Sequence, residues 1–212
     1  MLRSLCRSVR LGTSAVVVAG VAMLGGMWAA PASANCVYLP HQHDGGCPVA
    51  GLNFSGFNLA GIWLGATDMT NTNFSGTNLV NAHLVSATGT NTIFTNADLN
   101  NAVIQKATFT GAHFGSANIT GARMHAARFL GGSDFTHAKL DGAKDVRGDF
   151  TGANMTSASL TTAKLDKATL LDVNFTSANL TGANLHGANL TGATHLGTAT
   201  ITGVNWSGAI CP

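Results

Sequence analysis

Ala178-Asn179-Leu180-Thr181-Gly182, Ala183-Asn184-Leu185-His186-Gly187 and Ala188-Asn189-Leu190 set one five-residue unit end to end. Each unit has a large apolar residue at its centre and a small residue two places before it. The same beat runs outward through most of the chain. Centres fall at Phe54, Leu59, Leu64, Met69, Phe74, Leu79 and Leu84, miss at Gly89, and continue from Phe94 to Phe129. One residue is inserted near Gly131-Gly132, and the beat resumes at Phe135 and runs to Leu190, with Asp145 in one central place. A second insertion near Thr194 shifts it to Leu196, Ile201, Trp206 and Cys211.

A period of five matches neither a helix at about 3.6 nor a strand at about 2. It suits a chain that turns a corner every five residues, with four corners closing a square of about 20 residues. The centre and the small residue before it then point inward, and the residues two after the centre, often Gly or Asn, make the corners. The coil length has an internal check, because every fourth centre should fall in one column. One column reads Phe54, Phe74, Phe94, Phe114, Phe135, Met155, Phe175, Leu196, and another holds Phe109, Phe129 and Phe150. Aromatic residues segregate by face, which predicts an internal ladder of rings. The fold expected is therefore an all-β solenoid, a quadrilateral β-helix of about eight coils of four pentapeptides.

These motifs resemble the pentapeptide-repeat family, whose pattern is A-[DN]-[LF]-x-x, over residues 52–211. The resemblance implies a right-handed coil. It implies little about activity, because the family shares a scaffold and not a chemistry. Some members mimic DNA and protect gyrase from fluoroquinolones, the alternative role the resemblance offers. Others dimerise end to end through the C-terminus.

Residues 1–34 read as a secretory signal. Arg3, Arg7 and Arg10 precede an apolar stretch from Ala15 to Ala30, and Ala32-Ser33-Ala34 is a small-x-small cleavage pattern, which puts the mature start at Asn35. An uncleaved anchor is the alternative, and the one route to a membrane. Residues 35–51 form a capping segment and 52–212 the solenoid. The expected location is secreted or associated with the cell envelope. The 212-residue chain contains no Glu, and cleavage leaves eight Lys and Arg against nine Asp, a formal charge of −1. That near-neutral balance argues against nucleic-acid binding. Together with export it also argues against DNA mimicry, which needs an anionic surface in the cytoplasm.

Several places depart from the beat. Asp145 at a centre predicts that Val146 turns inward and the coil bulges, since a lone buried carboxylate is costly. Gly89 predicts a further distortion. Leu52, Phe57 and Ile62 replace small residues in the first pentads and are expected to plug that end. Cys36 and Cys47 are expected to pair across the capping loop, with Cys211 left as a free inward-facing thiol or an intermolecular link. A homodimer through the C-terminal end is expected from its uncovered edge.

No residue set suggests catalysis, and no enzyme activity or cofactor is expected. His41, His43 and Asp44 are metal-ligand types, but they sit in a Gly-rich loop at a generic spacing that a solvated cap explains as well. One outward column reads Trp63, His83, Val103, Arg123, Lys144, Lys164, Asn184, Asn205. Its three consecutive cations, Arg123, Lys144 and Lys164, form a candidate interaction surface, with Asp141, Asp145 and Asp166 near enough in sequence to offset their repulsion. The function expected is that of an exported, non-enzymatic structural or interaction module for a protein or envelope partner.

Overall fold

The computed structural model describes residues 49–212, together with the backbone of Val16–Val18 (β1) and Cys36–Tyr38 (β2), which pair antiparallel with Val17 opposite Val37. From residue 49 onward the chain is a four-sided β-helix. Parallel bridges join Asn53 to Asn73, Asn58 to Asn78, Trp63 to His83 and Asp68 to Thr88, one for each side and each spanning 20 residues. The four ladders continue toward the C-terminus, and the span becomes 21 residues where His113 meets Asp134. On one side three successive segments lengthen into strands, Thr88–Thr90 (β3), Thr108–Thr110 (β4) and Arg128–Leu130 (β5), in parallel order.

Most corners are turns closed by the centre's own carbonyl, as where the Phe57 N–H donates to the Phe54 carbonyl and the Ile62 N–H to that of Leu59, both at 3.1 Å. The residue two after the centre has positive φ, the pattern of a type II turn. Gly56 takes this place at 73°, but so do Asn81 at 57°, Lys106 at 57° and Thr162 at 56°. The hydrogen bonds above and below hold residues without a glycine's freedom in a backbone conformation that costs about 1–2 kcal/mol each.

The interior is closed by side chains. The Phe column stacks as expected: centroids lie 5.3 Å apart from Phe54 to Phe74 and from Phe74 to Phe94, then 4.8 Å from Phe94 to Phe114 and from Phe114 to Phe135. The second column, Phe109, Phe129 and Phe150, is also stacked, and it meets the first edge to face. Phe114 stands at 82° to Phe109 and 85° to Phe129. Parallel stacking along the axis is thereby combined with the perpendicular contact that aromatic quadrupoles favour. At the N-terminal end of the repeat Leu52 and Phe57 pack against the core as partly buried plugs, and Ile62 is buried. The inward small places of the early coils hold threonines whose hydroxyls reach the neighbouring coil: Thr72 donates to the Val49 carbonyl at 2.8 Å and Thr77 to that of Phe54 at 2.7 Å.

Two local expectations need correction, and the second insertion can be placed. Gly89 causes no distortion; it sits in β3 directly opposite Phe109. A methyl group on it would lie 2.1 Å from the Thr92 hydroxyl oxygen, so that side chain and the Phe109 ring already fill the space a larger centre would take. Asp145 produces no bulge. Its N–H donates to the Lys164 carbonyl at 2.8 Å, its side chain is wholly buried, and Val146 stays partly exposed. Room comes from Gly148, where an added Cβ would lie 2.1–2.4 Å from the Asp145 carboxyl atoms. A glycine in the inward small place, where neighbouring coils carry Ala127 and Ala168, thus accommodates the carboxyl and leaves the ladder intact. The second insertion falls after Thr194. Thr194, not His195, pairs with Asn174, while His195 has φ 62° and leads into a single 3-10 turn over Leu196–Thr198.

Neither Asp145 carboxyl oxygen has a hydrogen-bond partner. Burial drives this group well above its ordinary value of 3.8; the Ala127 and Ala126 N–H groups oppose the rise, but they already donate to the Met124 and Val146 carbonyls. The unfolded chain releases this proton in the ordinary carboxylate range while the folded chain holds it to higher pH. Between those limits the folded state carries more protons, so stability falls as pH rises; below the lower limit both states are protonated and the effect vanishes.

Two outcomes follow for denaturant unfolding. Phe114→Ala, which removes a ring from one aromatic column and its edge-to-face contacts with the other, should cost about 3–5 kcal/mol. Asp145→Leu should stabilise the protein by about 1–3 kcal/mol at neutral pH, and Asp145→Asn should remove the part of the stability loss that Asp145 causes as pH rises above the ordinary carboxylate range.

Candidate functional site

The ladders place Arg123, Lys144 and Lys164 on consecutive coils of one side: Arg123 bridges to Lys144 and Lys144 to Lys164. All three are exposed. The column they occupy begins with Trp63 and His83, whose rings stack at 4.0 Å and 3°, passes through buried Val103, and ends in Asn184 and Asn205, the latter donating to the Asn184 side-chain oxygen at 2.9 Å.

Three further cations stand beside this column. Lys106, Arg147 and Lys167 each lie two residues after a centre of the same side, at φ 57°, 64° and 57°, and each is exposed. Their N–H groups bond to the coil that follows, Arg147 to the Asp166 carbonyl at 2.9 Å and Lys167 to that of His186 at 2.8 Å, so they form a second file along the edge. The periodic pattern contains them, but corner places are read there as positions for Gly and Asn, and their charge is overlooked. Six of the eight Lys and Arg among residues 49–212 therefore share one side and its edge.

Among the described residues none of the acids expected to offset this charge forms a salt bridge with it. Asp145 is inside the coil. Asp141 lies on another side, where its carboxylate accepts from Ser159 and from the Thr161 N–H. Asp166 is on the cationic side but accepts from Asn184 at 2.6 Å. Among the described residues the salt bridge present is elsewhere, Arg128 to Asp149 at 3.8 Å.

Another side carries a polar ladder that satisfies itself. Thr156 donates to the Asn154 side-chain oxygen at 2.6 Å and accepts from Asn174 at 3.2 Å, and Thr176 donates to Asn174 at 2.6 Å. Its hydroxyls are spent within the protein.

Of the remaining expected site residues, His41, His43, Asp44, Cys47 and the side chain of Cys36 lie outside the described residues. Cys211 is exposed, without a disulfide, at the central place of the last pentad, where its neighbour Ile210 pairs with Asn189. Among the described residues no group of three His, Cys, Asp or Glu could hold a metal ion.

Sequence profiles of pentapeptide repeats match residues 50–84, 67–105, 130–170 and 158–194 in an eight-copy form and residues 90–131 in a nine-copy form. No curated protein matches by sequence. Among solved structures, trypsin-treated QnrB1, a plasmid-mediated fluoroquinolone resistance protein, aligns with a TM-score of 0.58 at 16% identity over 76% of this chain and 89% of its own. HetL, a pentapeptide repeat protein involved in heterocyst differentiation regulation from the cyanobacterium Nostoc sp., aligns at 25% identity over 78% of this chain and 87% of its own, with a TM-score of 0.38. The first of these likenesses establishes the fold.

Lys144 sits between two cations at strand spacing, so the column opposes folding. Lys144→Glu should raise the unfolding midpoint at low ionic strength, and the gain should vanish in roughly 1 M salt, where the screening length is about 3 Å. Thermal melts of the two proteins across a salt series check this.

Proposed function

Because the chain belongs to the pentapeptide-repeat family, we propose that it acts without catalysis, as an exported module whose flat sides bind a protein or an envelope polymer. The observation that carries this reading is the combination of a filled interior with a concentrated outward charge. Phe, Leu and Ala side chains occupy the inside of the coil, and the variable positions look out. Chemistry needs nucleophile, base and orienting group to converge on a sheltered site; among the described residues the charged groups other than Asp145 stand on the outside. The export pattern around Ala32-Ser33-Ala34 supports an exported location.

DNA mimicry of the kind that protects gyrase is the weaker reading, since six cations gathered on one side are the opposite of what a mimic of a polyanion presents. Within the favoured reading a homodimer forms through the C-terminal coil, where Ile201 and Ile210 are exposed by 44% and 56%.

Fractionation of the native host with mass spectrometry of the intact protein tests the proposal. The expected result is a mature chain beginning at Asn35 in the envelope or extracellular fraction, together with its cross-linked partners. Recovery from the cytoplasm with residues 1–34 intact would overturn it.

A further inference from the structure

Most charge on this chain is dispersed, but the cations are not. Arg123, Lys144 and Lys164 run along one side, and Lys106, Arg147 and Lys167 run along its edge. Arg123, Lys144 and Lys164 are one coil apart, about 4.8 Å along the axis, as are Arg147 and Lys167, while Ala126 takes the corner place between Lys106 and Arg147. The patch has bounds in both directions, with the Trp63–His83 stack and Val103 before it and the neutral amides of Asn184 and Asn205 after it. The one acid on this side, Asp166, is turned to Asn184. Like charges so placed repel one another and oppose folding.

We propose that this side binds a linear polyanion lying along the solenoid axis, and that the polyanion is a carboxylate-bearing polysaccharide. The inference rests on the reading of the chain as an exported module, which places it among wall and capsule polymers. Three cations on consecutive coils, flanked by Arg147 and Lys167 on two of the same coils, suit a partner that is itself regular and carries one carboxylate per sugar. Arg123 and Arg147 offer the planar fork that pairs with a carboxylate through two hydrogen bonds, and the lysines offer point charges. The backbone beneath is locked into ladders, so little conformational entropy is lost on the protein's side. A neighbouring polyanion also relieves the repulsion within the files.

The test uses the mature protein with fluorescent polygalacturonate oligomers, their neutral methyl esters and duplex DNA of matched charge, followed by fluorescence anisotropy over a salt series. Polygalacturonate should bind in preference to the DNA, the methyl ester should not, and affinity should fall steeply with salt. The double variant Lys144→Glu/Lys167→Glu should lose about tenfold or more in affinity. Lys139→Glu, on another side, should bind as the parent does. Melting curves establish that both variants are folded. Absence of binding, equal binding of the methyl ester, preference for DNA, or an unaffected double variant would overturn the inference. If the exported chain keeps its partner when Lys144 and Lys167 are reversed, the module reading stands and the polysaccharide inference fails. Cytoplasmic recovery removes the module reading itself.

Discussion

The hydrogen bond from each centre's N–H to the carbonyl of the residue before the next coil's centre is the contact on which the rest of the structure depends. Phe74 donates in this way to Ile93 at 2.7 Å, Leu99 to Asn118 at 2.7 Å and Leu160 to Asn179 at 2.7 Å. A buried backbone group left unpaired is costly. A chain that turns every five residues can form only short helices or strands of its own, so it must satisfy these groups with the coils above and below. That requirement sets the coil length, aligns the corners and accounts for residues such as Lys106 and Thr162 at positive φ.

A ladder of this kind places like position above like position, and the consequences extend inward and outward. Inside, Phe stacks on Phe, and the interior is narrow enough for two such columns to touch edge to face. The small inward place absorbs irregularities. Threonine hydroxyls bond across coils in the early repeats, Thr92 fills the space beside Gly89, and Gly148 makes room for Asp145. These compensations are local because each coil touches only its neighbours. Outside, stacking concentrates whatever the variable positions carry, so a few cations scattered in the sequence become two files on one side.

Much of the candidate site was legible from spacing. Once four pentads per coil was adopted, Arg123, Lys144 and Lys164 fell into one column. Lys106, Arg147 and Lys167 were harder to see, because their corner place was recognised by its turn-forming residues, and a lysine there looks like a substitution without meaning. Their relation to the column depends on how the corner directs a side chain. Sequence proximity also misled in the case of the acids. Asp145 and Asp166 are close in number to Lys144 and Lys164, yet one points inward and the other is bonded to Asn184. His195 shows the same weakness at an insertion: counting back from Leu196 puts His195 opposite Asn174, whereas Thr194 takes that place and His195 turns left-handed.

Periodicity alone established the repeat, the four-sided coil, the columns and the stacked phenylalanines, because a main-chain constraint that recurs every five residues leaves its mark at every recurrence. The exceptions were decided by the packed structure. Whether Asp145 bulges out or stays buried, whether Gly89 leaves a gap, and which charges meet depend on the volume and hydrogen bonds that residues on neighbouring coils provide. Gly148 is three positions away from Asp145 and Thr92 three from Gly89, and only the folded corner between them brings each pair into one space.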